Sequence, residues 1–257
     1  MQAPYELAIG HWSLKCRTLC AMHRVRAAVF DFFGTLTPSR PKSLRDAEKH
    51  ATADLLGIPR TDWIRAVDVA YSDRVLGVDD DLAAFFERVA ENAGYSPSKE
   101  SLRQAVAERL TSYVSVCAVR DDVVDGLSQL RKAGLRIGLV TDCGIELPSI
   151  WDALPIATLV DAAVFSCREH TRKPDPALFR AAARRLEVAE EECLYIGDGG
   201  GDEIAGSARV GMKAILFRPN DWADHDASER AVGWAGPEVT SVTELAVRLL
   251  GFGVPDR

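Results

Sequence analysis

Hydrophobic residues follow two different rhythms along this chain. Short unbroken apolar runs occur near both ends, and a long stretch between them repeats apolar residues every three or four positions. The first run, Arg26–Asp31, reads as a strand buried on both faces of a parallel sheet. From about Pro38 to Val119 the period is helical. Segments near Ser43–Leu56, Thr61–Leu76, Asp81–Asn92 and Ser98–Val116 carry the apolar stripe. "GIPRT" and "AGYSPS" interrupt it, with Thr61 and Ser98 placed as N-caps.

From Asp121 onward, helix and strand alternate. The helix DDVVDGLSQLRKAG leads to strand Leu135–Thr141, and a proline-interrupted helix Glu146–Leu154 leads to strand Ala163–Ser166. Helix Pro176–Leu186 leads to strand Cys193–Gly197, and helix Asp202–Val210 to strand Lys213–Phe217. An amphipathic helix, Val242–Leu250, follows. This order predicts an α/β protein: a parallel sheet covered on both faces, with a helical module inserted after its first strand. The expected division is a core of residues 25–37 and 120–257, a helical insert 38–119, and an N-terminal arm 1–24 without fixed structure. Met22 stands just ahead of the first strand, so residues 1–21 read equally as an arm or as an over-extended start.

Composition narrows the class. At 47% hydrophobic, 257 residues can bury a substantial core beside a smaller insert. A net charge of −7 argues against nonspecific nucleic-acid binding. No apolar run approaches the roughly 20 residues that span a bilayer. Six cysteines without a CxxC pair or a Cys/His cluster point to reduced thiols and a cytoplasmic setting. Cys16 and Cys20 alone make a poor zinc site, and the histidines form no metal-spaced pair.

The polar residues at strand ends matter most, because ligands of such sheets bind beyond the carboxyl edge. They are Asp31, Thr141, Lys173 in "TRKPDP", and Asp198 with Asp202 in "YIGDGGGDEIAG". Singly, each has a bland reading as a turn former, a helix cap or a solvated charge. Jointly they do not. Two carboxylates about 4 Å apart repel by on the order of 4 kcal/mol at an effective dielectric near 20, so three of them converging call for a cation. Hard oxygen donors suit Mg²⁺ shared with a phosphate. Lys173 would offset further negative charge, Thr141 could hydrogen-bond a phosphoryl oxygen, and glycines 199 to 201 allow close backbone approach.

"DFFGTLT", "LVTD", "RKPDPALF" and "GDGGGDEIAG", in this order and spacing, resemble the haloacid dehalogenase superfamily over about Val25 to Phe217. The resemblance implies a Rossmann-like core, an insert that caps the active site, and a small-molecule phosphorylated substrate. It makes Asp31 the nucleophile that becomes aspartyl-phosphate. It gives Mg²⁺ the backbone carbonyl of Phe33 and the carboxylates of Asp31 and Asp198, with Asp202 supporting the metal directly or through water. Thr141 and Lys173 would hold the phosphoryl group and orient Asp31.

Phe33 departs from the pattern. The superfamily's phosphatases have an aspartate there, which protonates the leaving oxygen and then activates water. Such a group is worth about 10² to 10⁴ in rate, or roughly 3 to 5.5 kcal/mol. The preferred expectation is a Mg²⁺-dependent phosphohydrolase that is weak or specialised, or that borrows an acid/base from His50, Glu48 or Asp73. A second is a 2-haloacid dehalogenase, whose members carry tyrosine at this position and release a halide that needs no acid. They need no metal, however, and lack the acidic pair that "GDGGGD" retains. A third is a binding or regulatory module with little turnover. A phosphonate-cleaving branch has alanine here and uses an insert lysine, but the surroundings of Lys42, Lys49 and Lys99 do not match it. Among other features, the aspartates at 79 to 81 read as an acidic helix start. Trp63, Tyr71 and Arg74 read as packing residues before substrate contacts, and Cys143 as a neighbour of the site.

Overall fold

A computed structural model describes residues 25–221 and 233–251, so the expected N-terminal arm, Cys16 and Cys20 lie outside the described residues. Six parallel strands form one sheet: β1 (Ala27–Phe30), β2 (Arg136–Thr141), β3 (Ala162–Phe165), β4 (Cys193–Gly197), β5 (Lys213–Phe217) and β6 (Glu238–Val239). Their spatial order is β3-β2-β1-β4-β5-β6, the reversal at β1 marking where a doubly wound sheet opens a crevice.

β1 is buried throughout, and its side chains alternate between two cores. Ala28 and Phe30 join the core beneath Leu127, Leu147 and Leu245, whereas Ala27 and Val29 join that beneath Leu178, Phe179 and Leu186. Both faces are therefore apolar, which explains the unbroken hydrophobic run. The covering helices include α7 (Val123–Lys132), α8 (Glu146–Ile150), α9 (Ser166–Glu169), α10 (Pro176–Leu186), α11 (Glu203–Arg209) and α12 (Val242–Leu250).

Between β1 and β2 lies an insert of helices: α1 (Lys42–Ala47), α2 (His50–Leu56), α3 (Arg60–Val69), α4 (Tyr71–Leu76), α5 (Leu82–Asn92) and α6 (Lys99–Val116). It has its own core around Trp63, Phe85, Phe86 and Leu102. Two expected long helices are each broken in two, and Thr61 is not an N-cap. It sits inside α3, and Pro59 precedes that helix without a side-chain cap. Ser98 does cap α6, accepting from Ser101 N–H at 3.1 Å, and Asp81 caps α5 through Ala84 N–H at 2.8 Å. β6 was not expected, since two residues carry no readable alternation.

The insert meets the core closely. A Cβ on Gly77, whose φ is +62°, would lie 1.9 Å from the Cys167 carbonyl oxygen, so only glycine lets the two parts approach. Beside it, the Ser166 hydroxyl donates to the Val75 carbonyl at 2.7 Å. Among the described residues no helix is long and apolar enough to cross a membrane.

Candidate active site

Asp31 ends β1, and its N–H donates to the Ile196 carbonyl at 2.9 Å. The chain then makes a wide five-residue turn, Phe32–Leu36, in which Gly34 adopts φ +82°. Arg120 braces that turn, donating from Nε to Thr35 O at 3.0 Å and from Nη2 to Gly34 O at 3.2 Å. The Asp31 carboxylate is thereby held beyond the sheet edge while remaining only 3% exposed.

Lys173 reaches the same point. Its Nζ lies 2.6 Å from Asp31 Oδ1 and 2.5 Å from Glu203 Oε2, and its backbone N–H donates to Asp142 Oδ1 at 3.0 Å. Glu203 opens α11 and is fully buried. Its Oε2 also accepts from the Tyr195 hydroxyl at 2.7 Å, and its Oε1 from Gly199 N–H at 2.9 Å. A Cβ at Gly197 would stand 2.1 Å from Glu203 Oε1, so the strand must end in glycine for this carboxylate to fit.

Carboxylate oxygens of Asp31, Asp198 and Glu203 all lie within 4.8 Å of one another. Burial raises the Asp31 pKa to about 6, with Lys173 pulling it down and Asp198 pushing it up. Burial also holds Glu203 well above the ordinary carboxylate value. Burial alone would weaken the Lys173 ammonium, but Asp31 and Glu203 more than reverse that and raise its pKa well above the usual value.

The structure brings together four of the expected positions, Asp31, Lys173, Asp198 and Phe33, and sets a fifth at the margin. Asp202, expected to support the metal directly or through water, lines the cleft but is exposed, with φ +53°, and stands outside the three-carboxylate group. Glu203, which sequence reasoning missed, is the third member of that group. The helix starts one residue later than its pattern suggested, so the second acid of "DE" turns back under the sheet edge. The adjacent acids were the available signal. Thr141 ends β2 fully buried, and its hydroxyl has no hydrogen-bond partner. It does not itself line the cleft, whereas the next residues, Asp142 and Cys143, do.

That cleft, about 800 Å³, runs between the sheet edge and the insert. Phe33 lines it half-buried, its ring edge-on to Phe32 at 4.9 Å. Of the acid/base candidates in the insert, Glu48 lines the cleft but is engaged by Arg40, and His50 and Asp73 do not line it. Lys42 and Lys49 line it with their ammoniums paired to Asp46 and Asp68, and Lys99 does not reach it. Trp63 is insert core, Tyr71 is exposed at the cleft, and Arg74 pairs with Glu146 at 2.7 Å. Burial keeps the Cys143 thiol well above its ordinary pKa, which disfavours the thiolate a nucleophile needs.

A parallel sheet with these acidic and basic groups at its carboxyl edge defines a hydrolase of the haloacid dehalogenase type. The model of the haloacid dehalogenase-like hydrolase family matches residues 25–211, and the chain belongs to that family. Among characterised relatives, a glyceraldehyde 3-phosphate phosphatase of Methanopyrus kandleri is 27% identical over 205 residues, 78% of this chain and 87% of that protein. A phosphoglycolate phosphatase of Colwellia psychrerythraea is 34% identical over 188 residues, 70% and 79% of the two chains. Among solved structures, a 2-haloacid dehalogenase from Pseudomonas syringae pv. Tomato superposes with TM-score 0.62 at 21% identity, covering 88% of this chain and 98% of that one. An HAD phosphatase from Thermococcus onnurineus gives 0.60 at 22%, with the same coverage. At these structural identities the likeness is one of fold.

Proposed function

We propose that this hydrolase is a phosphohydrolase of small-molecule phosphate esters, with Asp31 as nucleophile and the helical insert as a cap over the cleft. The observation that carries the reading is the buried group of Asp31, Asp198 and Glu203 around a single ammonium, Lys173. Three carboxylates against one cation leave an excess of negative charge that suits a divalent ion with hard oxygen ligands. Glu203 already accepts from Lys173, Tyr195 and Gly199, so its part is to position Lys173. Asp31, Asp198 and the Phe33 carbonyl would hold Mg²⁺, with Asp202 contributing through solvent from the cleft margin. Bound there, the ion would neutralise charge on the transferring phosphoryl group.

The chain's own groups account for the rest. With its pKa at about 6, Asp31 is mostly ionised at neutral pH and able to attack phosphorus. The bond from phosphorus to the ester oxygen breaks as the bond to Asp31 forms, and water later cleaves the acyl-phosphate. Lys173 lies 2.6 Å from the attacking carboxylate and stabilises the developing charge. The unpartnered Thr141 hydroxyl would donate to a phosphoryl oxygen once the end of β2 shifts to admit it, since it does not line the cleft as it stands. Phe33 offers no proton to the leaving oxygen and no base to the water, so the first step is slow unless the leaving group is already acidic, and the second, in which that group takes no part, is slow for every ester. Relatives named as phosphatases support the reading.

The test is hydrolysis of generic phosphate esters with Mg²⁺, using Asp31→Asn as the control. Turnover that the control abolishes supports the proposal. Halide release from 2-haloacids in the presence of EDTA would replace it with the dehalogenase reading, and ligand binding without turnover of either would replace it with a binding module.

A further inference from the structure

The wall of the cleft facing Asp31 belongs to the insert, and it carries polar groups that the hydrolytic site does not use. Thr52 on α2 is 2% exposed and Arg109 on α6 is 9% exposed, and these two helices pack against each other. Arg40 lies in the segment leading into α1. All three line the same cleft as Asp31. The Thr52 hydroxyl, Arg109 Nη1 and Arg40 Nε are each buried and have no hydrogen-bond partner. A buried donor without a partner is costly, and three along one wall are unusual unless a ligand supplies the acceptors.

The charge count points to the kind of ligand. Arg40 is engaged by Glu48, while Arg74 and Arg109 share one carboxylate oxygen of Glu146, at 2.7 and 3.3 Å. Three guanidiniums thus face two carboxylates, leaving one positive charge. Burial lowers the pKa of Arg40, and Arg109 lowers it further, a sign that the two guanidiniums repel across the wall. An anion placed against Arg40 and Arg109 would relieve that repulsion and satisfy donors on both.

We propose that this wall is a second anion subsite, so that the ester hydrolysed at Asp31 carries a further carboxylate or phosphate held by Arg109, Arg40 and Thr52. The inference rests on the phosphohydrolase reading for the other end of the molecule. It is distinct from the hydrolytic groups, because none of the three residues contacts Asp31, Lys173 or Asp198 among the hydrogen bonds and ion pairs of the site.

Non-hydrolysable phosphonates separate the two questions. Propylphosphonate offers a phosphoryl mimic with a neutral tail, phosphonopropionate adds a carboxylate, and trimethylene bisphosphonate adds a second phosphoryl group. Calorimetric titration of the Mg²⁺-supplied protein should show one of the charged-tail compounds binding about 10- to 100-fold more tightly than propylphosphonate, the span expected for charge-assisted hydrogen bonds. The larger gain names the anion. Arg109→Met and Arg40→Met should each cut that ratio at least about fivefold, and Arg109→Lys should restore part of it, since the charge returns without the fork. Because each ratio is taken within one protein, a general loss of binding does not imitate the effect. Equal affinity for all three compounds in the unmodified protein, or a ratio unaltered in both methionine variants, overturns the subsite. Hydrolysis of p-nitrophenyl phosphate, whose leaving group needs no proton, with Asp31→Asn as control, reports separately on the reaction: its absence beside a preserved ratio would remove the phosphohydrolase reading and leave the subsite standing.

Discussion

Replacing Glu146 by glutamine should destabilise the protein by about 3 kcal/mol at neutral pH. Glu146 lies in the core at the start of α8, is 2% exposed, and accepts from Arg74 and Arg109 of the insert. Burial alone would raise its pKa, but the two guanidiniums lower it from 4.5 to about 2. At 1.36 kcal/mol per unit, that depression corresponds to about 3 kcal/mol. The figure agrees with the roughly 3 to 5 kcal/mol seen when one partner of a buried pair is removed. Glutamine keeps the shape and one acceptor but leaves two buried cations without their counter-charge. The sign follows from the direction of the shift. A carboxylate whose folded pKa is depressed stabilises the fold fully above its unfolded pKa, near 4.5, and loses that contribution as pH falls toward about 2. Urea unfolding of both proteins at pH 7 should therefore show the full gap, and at about pH 3 roughly half of it. Other carboxylates titrate in this window too, so the quantity to read is the difference between the two proteins. A gap below about 1 kcal/mol at pH 7, or one that does not narrow on acidification, would refute the claim that Glu146 is a buried charge clasp between insert and core.

Phe33→Asp should raise phosphate-ester turnover by about 10²- to 10⁴-fold with Mg²⁺; no gain in a variant shown by circular dichroism to be folded would mean that Phe33 is not what limits the rate. Gly77→Ala should lower stability by at least about 2 kcal/mol, because its left-handed φ of +62° is strained for alanine and the new Cβ would collide with the Cys167 carbonyl. Thermal melting checks this, and a variant as stable as the parent would contradict the close packing of insert on core. Lys173→Met should lower kcat/KM for phosphate esters by about 10²-fold or more, and steady-state kinetics at saturating Mg²⁺ would expose a smaller loss.

The sheet was legible because its strands are buried on both faces. Cys193–Gly197, Lys213–Phe217 and helices Pro176–Leu186 and Val242–Leu250 fall where their patterns end. Both sides of β1 contact apolar cores, so the run from Ala27 to Phe30 had no polar interruption to misread. The insert was harder. The break at Ala70 leaves no proline or glycine behind it; the chain simply changes direction where two short helices each find their own contact. The placement of the site residues was legible where it depends on strand position, as for Asp31 and Asp198. It was not legible where the role depends on helix phase. Asp202 and Glu203 are adjacent acids, and one residue of phase decides which is exposed and which is sealed beneath Lys173. The pairing of Glu146 with Arg74 and Arg109 joins positions 37 and more residues apart, and nothing local in the sequence announces it.

The two walls of the cleft have opposite polarity, and this bears on how a substrate is oriented. At the sheet edge, Asp31, Asp198 and Glu203 outnumber the one ammonium of Lys173. On the facing wall, Arg40, Arg74 and Arg109 of the insert outnumber Glu48 and the core residue Glu146. An anionic ester entering without a divalent ion is drawn to the insert wall and repelled from the nucleophile, since at close range like charges in a low-dielectric cleft cost several kcal/mol. Charge on the sheet edge must be offset before a phosphoryl group can settle beside Asp31. A divalent cation bound there would therefore do more than stabilise the reacting group: it would set which end of a doubly charged molecule meets the nucleophile. Tail recognition and cation binding are consequently linked, and added Mg²⁺ should tighten binding of propylphosphonate proportionately more than it tightens binding of a tail anion such as propionate.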